Sequence, residues 1–301
     1  MRVNIKVLVA LVTVLCLAGC GKAGPGPDGI GDVIRFTDRV RGDLDTKAYS
    51  ENSIASIRQN GFKVACVTET NLVTVFNERA VWDGTLDAYV TESGMFYYPT
   101  GGEAVSFYAA YPASQSVDLH SSSAYLSYVS SPDTDLLTAV RTGVTARKTS
   151  VAMEFGHVLS LIAFKARGTD DDALYRLRRI TVESPDGGVY DYSGGTWAPS
   201  GDTASVEVFS GDLPFLGTAE VGAPFTVVPC NPVIRVEWEC WSTDGTVLMA
   251  TYSESGSLEE ALLPGEACTV TLVLSNREGN PMVFDVKVTP WDSEDHEVNL
   301  N

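Results

Sequence analysis

The sequence predicts an all-β fold, and three observations carry that prediction. Apolar residues recur at every second position through several runs, the period of a half-buried strand. Turn-forming clusters separate the runs: Pro185-Asp186-Gly187-Gly188, Ser193-Gly194-Gly195, Thr243-Asp244-Gly245 and Asn276-Arg277-Glu278-Gly279-Asn280. A helical period survives only in short pieces such as residues 171–179 (DDALYRLRR). The chain has 301 residues, enough for two domains. Many short strands with regular turns suit two β-sandwiches, divided here into residues 33–150 and 151–301.

The strand candidates run in order from residues 62–67 (FKVACV). Residues 97–112 (YYPTGGEAVSFYAAYP) hold five aromatic rings around a Thr-Gly-Gly-Glu turn, and so pose a choice between a ligand platform and a sheet interior. In residues 104–111 one face carries Val105, Phe107, Ala109 and Tyr111, and is expected to pack inward. The other carries Ala104, Ser106, Tyr108 and Ala110, with Tyr108 shielding the sheet edge. Residues 95–99 are the expected hairpin partner, which makes the stretch core strand rather than platform. Strands follow at 206–209, 233–241, 247–252, 268–274 and 283–289. Cys240 alternates in phase with Ile234, Val236 and Trp238, and Cys268 with Val270, Leu272 and Leu274, so both thiols should face the core.

The N-terminus reads as a targeting segment. Arg2 and Lys6 precede an apolar run of eleven, residues 7–17 (VLVALVTVLCL). A hydrocarbon core of ~30 Å needs about 20 apolar residues, so a signal peptide over residues 1–19 is the better reading. Leu17-Ala18-Gly19-Cys20 resembles a lipobox, which implies cleavage by signal peptidase II between Gly19 and Cys20 and lipid on Cys20. Each buried lipid methylene contributes ~0.8 kcal/mol, so several acyl chains hold a protein at an outer-membrane surface. Residues 20–32, rich in glycine and proline, then form a flexible lipidated tether.

Charge and chemistry narrow the function. There are 39 Asp and Glu against 21 Lys and Arg, a formal net charge of −18. That balance argues against nucleic acid and anionic lipid as partners. Cys66, Cys230, Cys240 and Cys268 allow three pairings or four free thiols in a compartment that permits disulfides. No CxxC pair, HExxH, GxSxG or P-loop pattern occurs, so no metal, cofactor or enzymatic activity is expected. His120 lies before three serines without an assignable acid, and His157 reads as a satisfied, half-buried histidine. Asp133-Thr134-Asp135 and Asp170-Asp171-Asp172 read as solvated acidic loops.

Four local patterns together resemble the fimbrillin family, the Mfa-like subunits of type V pili. They are Thr46-Lys47-Ala48 followed by Gly61-Phe62-Lys63-Val64; Tyr98-Pro99 followed by residues 105–112 (VSFYAAYP); residues 153–160 (MEFGHVLS); and Leu263-Pro264-Gly265-Glu266 followed by Val288-Thr289-Pro290-Trp291. The resemblance implies two tandem transthyretin-like β-sandwiches. It also implies a cell-surface or fimbrial location, partners that are other fimbrial subunits in a homo- or heteropolymer, and a host or glycan receptor. In shaft subunits of the family a protease removes an N-terminal strand, and a strand of the next subunit fills the groove. Carried over, Val33, Ile34, Arg35 and Phe36 form the removable strand, and cleavage falls at Lys47-Ala48. Lysine stands there in place of the family's arginine, and Arg39 and Arg41 are the nearby alternatives. The C-terminal residues 297–301 alternate apolar and polar and suit a donor strand. The competing function is a surface glycan-binding lipoprotein in which Trp82, Trp197 and Trp241 stack on sugar rings, with Trp241 out of phase with the core and facing outward.

Overall fold

The computed structural model describes residues 32–40, 54–120, 123–131, 134–276 and 281–291. Cys20, Gly19, Arg41, Lys47 and the candidate donor segment 297–301 lie outside the described residues. The fold is all-β: 19 strands and a single seven-residue helix occur among the described residues.

The N-terminal half closes on itself. Its strands are β1 (Phe36–Val40), β2 (Phe62–Thr68), β3 (Thr74–Asp83), β4 (Ala88–Thr91), β5 (Val105–Tyr111), β8 (Leu137–Val144) and β9 (Val151–His157). They hydrogen-bond in the closed order β1-β4-β3-β2-β5-β8-β9. Closure removes the sheet edges that an open sandwich would expose, so this half is a ring where the sequence suggested two sheets. The helix α1 (Ile54–Asn60) packs on β1 and β3. It stops because Gly61 sits at φ +66, where its N–H bonds the carbonyl of Ile57 at 2.7 Å. A Cβ at Gly61 would lie 2.2 Å from the Ala80 carbonyl oxygen, so only glycine fits.

Strand β5 lies in mid-sheet, between β2 and β8, which corrects two expectations. Residues 95–99 are not its partner. They pair instead with the extended segment before β1, through Val33↔Tyr97 and a 2.9 Å bond from the Ile34 N–H to the Phe96 carbonyl. Val105, Phe107, Ala109 and Tyr111 are buried as expected, but Ser106 and Ala110 on the opposite face are buried too. A central strand covered on both faces gains more from neighbours of seven and eight residues than from a short hairpin arm.

The C-terminal half is a sandwich. One sheet has the order β15 (Thr218–Val227), β10 (Ser160–Gly168), β18 (Glu266–Leu274), β19 (Met282–Pro290). The other has β14 (Thr203–Phe215), β11 (Ala173–Pro185), β16 (Val233–Ser242), β17 (Leu248–Ser257). Between them lies a continuous core that includes Leu177, Ile180, Val236, Trp238, Cys240, Cys268 and Val270. Both cysteines face inward as their phase predicted. The four described cysteines, Cys66, Cys230, Cys240 and Cys268, are free thiols in the structure, and burial pushes those of Cys230 and Cys240 up to about 11 and that of Cys268 up to about 12.

The helical piece expected at 171–179 is the start of β11. A bulge between Leu177 and Arg179 disturbs both flanking ladders. Buried positions therefore fall at Ala173, Tyr175, Leu177, Ile180 and Val182. The three-residue step across the bulge mimics a helical spacing. The intervening arginines face outward and pair with acids, as in Arg176–Asp212 at 2.8 Å and Arg178–Glu239 at 2.8 Å.

A fourth sheet joins the halves. Strands β6 (Ser116–His120) and β7 (Ser123–Val129) of the first half pair with β12 (Gly187–Asp191) and β13 (Thr196–Pro199) of the second, in the order β13-β12-β7-β6. Pro185 ends β11, and Gly187 lets the chain pass close to β7, since a Cβ there would meet the Tyr128 carbonyl oxygen at 2.3 Å. A third apolar cluster fills the junction, with Leu126, Tyr128, Leu159, Tyr190, Tyr192 and Trp291. The barrel's last strand, β9, lies wholly beyond residue 150, and the shared sheet crosses between the halves.

Candidate assembly interface

The segment singled out in the sequence, Val33 to Phe36, leads into the strand that closes the barrel and shares only Phe36 with it. Val33 bridges to Tyr97, Ile34 is 2% exposed and Phe36 is fully buried. The alternation of Ile34 and Phe36 sends both into the barrel core, where Phe36 meets Phe107 edge-on at 5.1 Å and Phe62 at 6.0 Å. Such contacts add about 0.5–1.5 kcal/mol per pair beyond area burial. Burying two side chains of this size stabilises the ring by about 1.5–3 kcal/mol each.

The backbone of β1 is held unequally. Its parallel ladder to β9 runs through five positions, from Phe36↔Val151 to Val40↔Phe155. Its antiparallel ladder to β4 has one, Phe36↔Tyr89. The side chain of Asp38 is 2% exposed, and its nearest cation, Arg58 Nε, is 3.9 Å away on a half-exposed side chain. Among the described residues, Asp38 Oδ2 and the Tyr89 hydroxyl make no hydrogen bond. Burial first, and then the charge of Asp38, hold the Tyr89 phenol above the usual range. A buried carboxylate without full pairing costs free energy, so β1 and its leading segment bind less tightly than the anchors Ile34 and Phe36 alone would allow. Arg39 lies inside β1, exposed and paired in register with Glu154.

A second constellation lies at the junction of the halves. His157 Nδ1 is 2.6 Å from Asp135 Oδ2, and the imidazole stacks on Trp291 at 4.1 Å and 11°. With the carboxylate accepting, Nδ1 carries the proton. Asp135 also accepts from the Leu136 N–H at 2.7 Å. His157 is therefore satisfied, as expected, while Asp135 corrects the reading of its loop as solvated: it is 1% exposed. Asp170 is likewise engaged, accepting from the Tyr175 hydroxyl at 2.9 Å. Alternation and spacing gave no sign of these pairs, because His157 and Asp135 meet only once β8 and β9 pair through Leu137↔His157.

The three tryptophans considered for sugar stacking have protein neighbours. Trp82 meets Tyr89 at 5.0 Å and carries the Arg58 guanidinium over its ring at 4.5 Å. Trp197 packs on Tyr128 and Tyr190 and donates to the Val158 carbonyl at 2.6 Å. Trp241 is half-buried, lies under Arg176 at 5.1 Å and donates to Glu239 at 2.8 Å. Among the described residues no group of three His, Cys, Asp or Glu side chains is placed to hold a metal ion. No described helix is long and apolar enough to cross a membrane.

Comparison with known proteins bears on this architecture. The fold is similar to that of a fimbrial protein from Bacteroides vulgatus ATCC 8482, at 12% identity and a TM-score of 0.65, over 86% of this chain and 99% of the other. It is also similar to proteins proposed to act in cell adhesion from Bacteroides ovatus ATCC 8483 and Bacteroides uniformis ATCC 8492. These show TM-scores of 0.52 and 0.51 at 14% and 15% identity, each over 88% of this chain and 99% of the other. No curated protein matches the chain. The family model described as fimbrillin-like matches residues 50–291. The chain therefore belongs to the fimbrillin-like family.

Proposed function

We propose that the protein is a fimbrial subunit or adhesin, anchored at the cell surface through lipid on Cys20. It assembles by exchanging β1 for a strand of a neighbouring subunit. The observation that supports this most is the seam itself. β1 and the segment leading into it send two apolar anchors, Phe36 and Ile34, into the barrel, yet β1 has a ladder on one side and a single pair on the other. A cut after Arg41 or Lys47 leaves β1 attached by non-covalent contacts alone. Its departure would uncover the edge of β9 and the aromatic pocket of Phe62 and Phe107, a groove ready for β-strand addition. The tail 297–301 is the donor proposed from this chain, and the two halves correspond in this reading to the family's tandem transthyretin-like domains.

The N-terminus of the protein recovered from cells tests the reading. A lipid-modified Cys20 marks the anchored, uncut form, and a start after Arg41 or Lys47 marks the processed form. Protein cut at either site should form ladders on unboiled gels, while intact protein stays monomeric. Strictly monomeric cut protein would end the exchange model.

A further inference from the structure

The C-terminal sandwich contains a second slot, independent of the exchange at β1. Strand β19 pairs with β18 on one side, and among the described residues no strand pairs with its other edge. In its register, Leu272 is opposite Phe284, Val270 opposite Val286 and Cys268 opposite Val288. The β18 partners are all core residues, so Phe284, Val286 and Val288 share the core face. Yet Val286 is 38% exposed and Val288 is 44% exposed. The reason is geometric. The facing sheet contacts β19 at Phe284, where a Cβ on Gly256 would lie 2.8 Å from the ring, and its edge strand β17 ends one residue later. Beyond that point Val286 and Val288 look into an open cavity of about 520 Å³, also lined by Leu262, Leu263 and three glutamates, Glu259, Glu260 and Glu266. No described cation pairs with these glutamates.

We propose that this slot takes an extended basic segment of another polypeptide, which adds to the free edge of β19, covers Val286 and Val288 with its own apolar side chains, and places lysine or arginine against Glu259, Glu260 and Glu266. An unpaired edge supplies main-chain hydrogen bonds, and uncovered core-phase valines supply apolar area. The acidic rim selects the sign of the partner. A second copy of this chain is the wrong occupant, since its net charge of −18 opposes the rim.

The test uses the full chain and two labelled peptides, acetyl-Lys-Val-Thr-Val-Lys-Val-Lys-amide and its counterpart with glutamate for every lysine. Fluorescence anisotropy should show binding of the basic peptide, at least about tenfold tighter than the acidic one and weakened by salt. Hydrogen exchange should slow at the amides of β19 on binding. Glu259→Lys with Glu260→Lys, and separately Val286→Asp, should each reduce affinity at least about tenfold with an unchanged thermal midpoint, because all three residues are exposed. Equal binding of both peptides, no slowing at β19, or edge amides already protected in the free chain would each overturn the proposal. The last result would mean that the chain covers its own edge.

Discussion

The barrel and the sandwich handle the same problem in opposite ways. A sheet that ends must leave a row of unpaired N–H and C=O groups somewhere. The barrel removes its edges by closing through β1, and its integrity then rests on one short strand with a buried Asp38 and a single pair to β4. The sandwich needs no such closure. Its core is filled by long ladders, among them β11 with β14 and β16, and it leaves β19 open at the rim. Closure makes one half dependent on a strand that comes before the helix, while the other half holds together with an edge exposed.

This contrast can be broken by mutation, and the largest effect belongs at the seam. Phe36→Ala should destabilise the barrel by about 3–5 kcal/mol. Urea unfolding followed through Trp82 in the barrel and Trp238 in the sandwich should show the first transition moving and the second staying. Coincident shifts would mean that the halves unfold as one unit and that the contrast has no thermodynamic meaning.

Next comes the junction. His157→Phe keeps a ring against Trp291 but strips Asp135 of its partner, so it should cost about 3 kcal/mol, the scale for breaking a buried pair. The loss should appear in both transitions, since Trp291 follows the last sandwich strand and Asp135 precedes β8. An effect confined to one half would show that the pair does not couple them.

A smaller change of opposite sign is expected from Asp38→Leu. Removing a carboxylate that is 2% exposed, with its counterion 3.9 Å away, should stabilise β1 by about 1 kcal/mol and slow its exchange in cut protein. Faster exchange would place Asp38 among the contacts that hold the strand. Smaller still, Lys165→Ala removes a surface pair with Glu220 and should change sandwich stability by less than about 1 kcal/mol, despite the 2.7 Å contact.

The thiols sharpen the comparison without altering stability at neutral pH. Burial raises Cys230 and Cys240 to about 11 and Cys268 to about 12, all in the sandwich half, and pushes up Cys66 in the barrel. Unfolded cysteines ionise near pH ~8.5, so the unfolded chain loses these protons first. The resulting stability is complete below that pH and declines as pH rises toward the folded values. Labelling at pH 8 should therefore be slow at all four and limited by opening. Cutting the chain at Arg41 should accelerate Cys66 alone, if the seam is what opens.

Much of this was legible in the residues. Alternation placed Phe107, Cys240 and Cys268 on core faces, and all three are buried. The segment from Val33 to Phe36 was marked out by its likeness to a family pattern, and two of its side chains, Ile34 and Phe36, are buried. The bulge in β11 hid a strand behind a helix-like spacing. The chemistry of His157 showed only as a satisfied histidine, because its partner lies on another strand.

What the sequence determined by itself was the all-β class, the inward phase of its core strands and its family, since these follow from local alternation, turn residues and motif order. Which strands pair was decided by the tertiary structure. β1 lies beside β9, more than 100 residues on, β12 beside β7, and the valines of β19 face an open slot. Alternation tells each strand which face to bury, but every strand edge offers the same hydrogen-bonding groups, so the choice among partners falls to packing of the whole chain.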